Sequence, residues 1–243
     1  ILSFYEQCVE FPTSRNPTGV YREVRKYMEE HGIVHKKKKI IKDEFGKNIE
    51  IEGFDYYEPN DADEYVFVIW DHASLTQPEN NMSLKQSIDK LSEYFVILRN
   101  RFGVSPILIQ QQAFETEGLE AFKLNKVRPS VQGLGDSKYS GRDCNVLLGL
   151  FSPFKHELPE YQGYDITKLR NNVRFLEVIL NRGGNVGGLI GLFFDGATCN
   201  WAELPLPKDT KEMNKLYEYL DFIRGKVKTS FSFLIYTIKK LIK

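Results

Sequence analysis

The stretch RPSVQGLGDSKYSGRDCNV, from Arg128 to Val146, decides how this chain is read. It stands between segments of a particular kind. Upstream lie VFVIWDH (Val66 to His72), an apolar strand ending in an acid, and PILIQQQ (Pro106 to Gln112), an apolar strand ending in glutamine. Downstream lies NRGGNVGG (Asn181 to Gly188), a strand end that delivers one arginine into a glycine-rich turn. The order of these four segments carries more weight than any single member.

The chain around them is that of an ordinary globular protein. Its 243 residues, 42% of them apolar, suffice for one substantial domain with an appendage. Lys+Arg and Asp+Glu are equal at 33 each, so there is no global basic charge, and any nucleic-acid site must be local. Cys8, Cys144 and Cys199 are far apart and form no C-x-x-C pair, which points to a reducing compartment and away from a structural metal. His31, His35, His72 and His156 show no ligand spacing either. FSFLIYTI (Phe231 to Ile238) falls far short of the roughly 18 apolar residues of a membrane span, and no signal peptide is readable. The first residue is Ile1, so the chain is expected to be a fragment or a trimmed product.

Periodicity gives the organisation. Asn16 to His31 has Pro17 in a first-turn position and Gly32 just after, which predicts a helix with Val20, Val24, Tyr27 and Met28 on its packed face. Residues 33–60 change texture. The lysines Lys36 to Lys39, the alternation in KNIEIEGF and the turn-like DEFGKN predict an inserted β-hairpin. Its lysine run suits a solvated edge that discourages aggregation, or a DNA contact. Tyr65 to Trp70 reads as a strand buried on both faces of a parallel sheet. Leu84, Ile88, Leu91, Phe95, Leu98 and Phe102 form one helical stripe ended by Gly103, and a second strand follows at Pro106 to Gln110.

Strand, helix, strand in that order implies a right-handed crossover and a parallel sheet. Further strands are expected at Asn145 to Phe151, Arg174 to Asn181 and Gly188 to Phe194. The fold class is therefore α/β, a mostly parallel sheet flanked by helices. Residues 1–207 form the main domain, and 208–243 form a helical tail that after Asp221 holds Arg224 and five lysines but no acid.

Ligands of open parallel sheets sit at the carboxyl ends of strands. Asp71 is at such an end, where an acid can hold Mg²⁺ through its water shell or simply cap the next turn. Gln112 ends the neighbouring strand. Its amide could report a γ-phosphate to the following loop, or be one of three polar residues leaving a buried strand. At least one of Gln110, Gln111 and Gln112 must face inward and find a partner. Arg182 could reach across a subunit boundary to a transferred phosphoryl group, an effect worth on the order of 10³ to 10⁵ in rate, or lie solvated on a hairpin.

Taken together, Val66 to Asp71, Pro106 to Gln112, Arg128 to Val146 and Arg182 to Gly187 resemble the RecA-like motor domain of bacterial and phage replicative helicases of the DnaB type. The family pattern R-P-x-L-x-D-L-R-E-S-G-x-I-E-x-D-A-D aligns without a gap on Arg128 to Asn145 and keeps Arg128, Pro129, Leu134, Ser137 and Asp143. R-x-G-x-x-G aligns on Arg182, Gly184 and Gly187. The resemblance covers roughly residues 16–204 outside the hairpin, and NPTGVY and LFFDG are similar to divergent helicases of large phages.

The resemblance implies an ATP-dependent helicase that translocates on single-stranded DNA as a ring, with six subunits expected. ATP and Mg²⁺ would be its cofactors, and Asp71 would hold the metal through water. Gln112 would couple nucleotide state to the DNA loop, and Arg182 would act on the neighbour's ATP. Gly135, Asp136, Ser137 and Lys138, with Arg128, would grip the strand by its backbone, as a motor indifferent to sequence requires. A primase or a helicase loader is a further expected partner, no membrane is, and the compartment would be the bacterial cytoplasm.

Departures from the family pattern temper these roles. Leu180 stands where the family has a lysine, Gly133, Leu134, Gly135 and Asp136 replace D-L-R-E, and Cys144 and Asn145 replace A-D. Nothing matches the phosphate-cradling Walker A loop G-x-x-x-x-G-K-[ST], which in the family lies upstream of every segment seen here. Ile1 is therefore expected to begin downstream of that loop, and the chain alone to be inactive. A non-catalytic DNA-binding or oligomerisation module, or a RecA-like recombinase, are the alternatives.

Overall fold

The computed structural model describes residues 13–112 and 127–241, with side chains as far as Gly225. Cys8 and the side chains of the tail lysines lie outside the described residues. The chain divides into two compact units, residues 13–112 with Val131–Cys144, and residues 127–130 with 145–241.

In the first unit, helix α1 (Pro17–Glu30) begins where the Asn16 side chain accepts the Gly19 N–H at 2.8 Å, with Pro17 at the position that needs no donor. Helix α2 (Leu84–Phe102) opens on a capping box of Ser83 and Gln86 and stops at Gly103, whose φ of 73° lies in the left-handed region that glycine enters at least cost. The apolar stripes of the two helices meet, burying Val20, Val24 and Met28 against Leu91, Phe95, Leu98 and Phe102.

Strands β1 (Gly32–Lys42) and β2 (Asn48–Pro59) form an antiparallel ribbon. Val34, Phe54 and Tyr57 pack its base against the helices. Further out, its lysines face carboxylates across the ribbon, Lys38 and Glu50 at 2.6 Å and Lys37 and Asp55 at 2.5 Å. Such exposed pairs contribute roughly 0–1 kcal/mol each, and they keep the ribbon edge solvated.

Strands β3 (Phe67–Trp70) and β4 (Ser105–Leu108) pair in parallel, Trp70 opposite Leu108. The expectation that β3 is buried on both faces needs correcting. Val68 is buried among the helices while Phe67 and Ile69 are 61% and 64% exposed, because α1 and α2 cover one face and the described residues leave the other open. A short helix, α3 (Tyr139–Asp143), completes the unit.

The second unit contains strand β5 (Val146–Phe151), the short pair β6 (Glu160–Tyr161) and β7 (Tyr164–Asp165), and helix α4 (Ile166–Leu169). Strands β8 (Val173–Asn181), β9 (Leu189–Asp195) and β10 (Asn200–Glu203) and helix α5 (Thr210–Leu241) follow. The sheet order is β10-β9-β8-β5, and every pairing in it is antiparallel. A mostly parallel sheet is thus found only in β3–β4 among the described residues. The turn at 182–188 is far too short for the crossover of a dozen or more residues that parallel neighbours require.

The core of this unit gathers Phe151, Ile166, Leu169, Val173 and Phe175, and α5 closes it with Met213 and Leu220. Pro129 lies so close to β5 that a Cβ at Gly149 would come within 2.3 Å of it, so glycine is required there. Arg224, read in the sequence as part of a basic tail, donates to the carbonyls of Lys168 and Leu169 at 2.6 and 2.9 Å and ties α5 to the end of α4.

Candidate functional site

Parallel pairing sets the carboxyl ends of β3 and β4 side by side, and the polar segments of the first unit converge there. Asp71 leaves β3 with an exposed carboxylate that hydrogen-bonds to no described residue. The chain turns at once, stitched to β4 by the Ala73 N–H on the Ile109 carbonyl at 2.8 Å and the Ile109 N–H on the Trp70 carbonyl at 3.0 Å. Ser74, on that turn, donates to Asp136 Oδ2 at 2.5 Å. The turn after Asp71 is therefore bonded directly to the loop that follows Leu134.

The end of β4 holds the same loop. Gln110 Nε2 donates to the carbonyls of Gly135 and Ser137, the latter at 2.8 Å, and its Oε1 accepts from Ser140 Oγ at 2.6 Å. The Gly135 N–H reaches the Gln111 carbonyl at 3.0 Å, and Gln112 bridges Leu134 in antiparallel fashion. From the other side, Ser137 Oγ donates to Asp89 of α2 and accepts the Tyr139 N–H at 3.0 Å, while Lys85 pairs with Asp89 at 2.8 Å. Ser92 and Arg99 of α2 hold Asp143 at 2.7 and 2.9 Å.

Asp71, Gln112, Gly135, Asp136, Ser137 and Lys138 thus share one unit, whereas Arg128 and Arg182 belong to the other. Ser137 is 2% exposed and its hydroxyl is engaged within the protein, so it fixes the loop rather than meeting solvent. Lys138 is exposed, and Asp136 adopts a φ of 52° with its carboxylate on Ser74. Gln110 carries a side-chain amide into the loop. Three successive glutamines demand one inward amide, but do not say which. Asp89 and Ser140 carry no signal in the sequence, since a polar residue on a helix is ordinarily solvated.

In the second unit Arg182 is exposed at the end of β8, with its N–H on the Asn145 carbonyl at 2.9 Å. Asn181 orders the turn behind it, accepting the Gly183 N–H at 3.1 Å and donating to the Asn185 carbonyl at 3.3 Å. Gly187, at φ 79°, closes it with its N–H on the Val178 carbonyl at 2.9 Å. Arg128 is exposed near Tyr161, which donates to Glu177. Burial, then the Glu177 hydrogen bond and charge, push the Tyr161 phenol far above its usual range, and the Arg128 charge opposes them.

The fold is similar to that of two solved structures, an ATPase domain and a replicative helicase. It matches a solved ATPase domain with a TM-score of 0.54 at 15% identity, over 79% of this chain and 52% of that one. It also matches a DnaB-like replicative helicase, described together with its interactions with primase, with a TM-score of 0.54 at 15% identity, over 79% of this chain and 37% of that one. At such identity the likeness is one of fold, and the chain spans about half the length of the first structure and less of the second. No family model matches the sequence, and no curated protein matches it. Among the described residues no helix is long and apolar enough to cross a membrane.

Proposed function

We propose that this chain is the metal-holding and strand-gripping part of an ATP-driven replicative DNA helicase that works as a ring on single-stranded DNA. The observation that carries it is the bonding of one loop to two strand ends: Ser74, beside Asp71, holds Asp136, and Gln110 holds Gly135 and Ser137. A displacement at either strand end must then be felt by Lys138.

Asp71 fits a water-held Mg²⁺. Its carboxylate is exposed at a strand end and hydrogen-bonds to no described residue, as suits a hard cation that completes its shell with water and phosphate. ATP and Mg²⁺ would supply the phosphoryl group and the neutralisation of its charge. Asp71 would orient that metal, and Ser74 would carry its position to Asp136. Gln110 and the Gln112 backbone would do the same from β4. Lys138 and the backbone at Gly135 would grip DNA phosphates, with Ser137 fixing their geometry from behind.

In the second unit Arg182, presented by the Asn181-ordered turn, would act on a neighbouring subunit's nucleotide, and Arg128 would add charge beside the strand. Residues 1–207 are read as the motor segment and 208–243 as its tail. Primase is named with one of the matched structures, and a primase or loader is proposed as partner here too.

The test is forked-DNA unwinding by protein carrying this chain joined to a phosphate-binding loop. Asp71→Asn should abolish ATP-dependent unwinding yet leave strand binding intact, and Arg182→Ala subunits mixed into wild-type rings should poison them. The 243-residue chain alone should not hydrolyse ATP. Robust hydrolysis by that chain, lost in Asp71→Asn, would overturn the division of labour. Strand binding without any ATP dependence would point to a non-catalytic module instead.

A further inference from the structure

The geometry points to a second binding site for single-stranded nucleic acid, a basic and aromatic groove along the outer edge of α1 that uses neither Asp71 nor the loop at 135–138. Two clefts, of about 400 and 220 Å³, adjoin at Tyr21 and Arg25. The first runs along α1 to Tyr94 of α2, and the second continues to the base of the β1–β2 ribbon. Five cations line them, Arg22, Arg25, Lys26, Lys36 and Arg101, against the two carboxylates Glu29 and Glu52.

In a chain of zero net charge, that is a concentrated positive strip. Both carboxylates are already occupied, Glu29 by Arg25 at 2.7 Å and Glu52 by Lys36 at 3.9 Å. Arg22 has no ion pair among the described residues. Lys26 has only the exposed Glu30 at 3.7 Å, a contact worth roughly 0–1 kcal/mol that a phosphate would replace.

Arg25 and Lys26 each stand three or four residues from both Arg22 and Glu29, which places each of the two cations about 5–6 Å, Cβ to Cβ, from Arg22 on the groove side of the helix. A flexible phosphate backbone can follow such a row. The aromatic groups distinguish its occupant. Tyr21 and Tyr94 stack with centroids 4.5 Å apart on the groove wall, and the Lys90 ammonium lies 5.5 Å from the Tyr94 ring.

Cations in a row beside a half-buried pair of stacked tyrosine rings match a strand whose charges lie on its backbone and whose bases can stack at the edge of that pair. An acidic peptide would satisfy the cations and leave the rings unused. A duplex presents its bases already stacked, and the clefts are too small to admit one. None of the residues at 135–138 lines the groove, so it stands apart from the loop proposed above.

Fluorescence anisotropy of a labelled oligothymidylate, about 20 nucleotides long so as to exceed a single-strand site, with the 243-residue chain tests this. Arg22→Gln with Lys26→Gln keeps the side-chain stems and should weaken binding at least about tenfold at low salt. It should also reduce the slope of log affinity against log salt by about 1.4, the release expected for two lost contacts to a single strand. Tyr21→Leu keeps an apolar body in place and should weaken binding about fivefold or more without changing that slope.

Should Tyr21→Leu fail to fold by circular dichroism, the exposed Arg22 and Lys26 pair carries the test. Unchanged affinity and slope in the Arg22 and Lys26 variant would overturn the groove. Lys138→Ala would then still report on the loop by itself, so the two readings fail separately. Displacement of the oligonucleotide by polyglutamate at equal charge, undiminished by Tyr21→Leu, would assign the groove to an acidic protein and overturn the proposal as well.

Discussion

The loop at 133–140 and the turn at 182–188 both carry residues suited to chemistry, yet they are held by different means. The loop is fixed by side chains distant in sequence: Gln110 from the segment just after β4, Asp89 from α2 and Ser74 from the turn after β3. The turn is fixed mainly by bonds within the β8–β9 hairpin and by the adjacent Asn181 side chain, with one bond to a distant residue, from the Arg182 N–H to the Asn145 carbonyl. A segment held from several elements must move when they move, as a coupling loop should. A segment closed mainly by its own bonds, with one tie from the Arg182 N–H to the Asn145 carbonyl, holds its arginine on a stiffer hairpin.

The largest expected effect tests the support beneath the turn. Phe175→Ala, at a fully buried position of β8, should cost about 3–5 kcal/mol in chemical denaturation and speed amide exchange through the turn. A loss under about 1 kcal/mol would mean that the sheet does not hold the turn. Gln110→Leu should cost about 2 kcal/mol, because it removes three hydrogen bonds and leaves the Gly135 carbonyl only the Ser137 N–H and the Ser137 carbonyl and Ser140 hydroxyl only their 3.3 Å bond to each other. Hydrogen exchange should quicken at 133–140 and stay unchanged at 182–188. Equal quickening in both would erase the distinction between them.

A pH titration extends the comparison to the far side of α2. Burial alone would raise the Glu79 carboxyl, but hydrogen bonds from Lys90 and from Thr18 outweigh it and hold it below the usual range. The stability this contributes is fully present above the ordinary carboxylate pKa and is lost as pH falls through the lowered folded value. Glu79→Gln should therefore cost about 1.5 kcal/mol at neutral pH, and the gap to the parent should close below about pH 4. A gap that persists into acid would show that the carboxylate charge is not what matters.

Asn181→Ala should cost about 1 kcal/mol and loosen only the turn, seen as faster exchange at 183–187. Lys138→Ala should change stability by less than about 0.5 kcal/mol, since the residue is exposed, while lowering the affinity for single-stranded DNA. A stability loss as large as that of Gln110→Leu would make Lys138 part of the scaffold.

Signals in the sequence carry through to the fold where local physics controls them. The stripe from Leu84 to Phe102 ends at Gly103 because the left-handed residue stops the helix wherever the chain goes next. Asn16 and Pro17 start α1 for the same kind of reason. Phe67 and Ile69 mislead, because an apolar run has the same composition whether one face of its strand is covered or both. Gln112 stands out for its position at the end of a run and bridges Leu134, and Gln110 also reaches the loop, which the sequence does not single out because a strand end can twist any of three adjacent amides inward. The Arg224 guanidinium counts as free basic charge in the sequence, whereas in the fold the carbonyls at the end of α4 engage it.

By itself the sequence determined the two long helices of the first unit with the proline that opens one and the glycine that stops the other, the strand that runs to Asp71, the glycine turn after Arg182 and the order of segments that resembles a helicase motor. These follow from periodicity and from backbone preferences, which act over a few residues. Only the tertiary structure decided that Ser74, Asp89 and Gln110 meet at one loop, that the second sheet is antiparallel, and that α1, α2 and the ribbon leave a cationic groove lined with tyrosine. Those arrangements join residues dozens of positions apart, and a hydrogen bond or a stacked ring pair leaves no period in the sequence by which to find it.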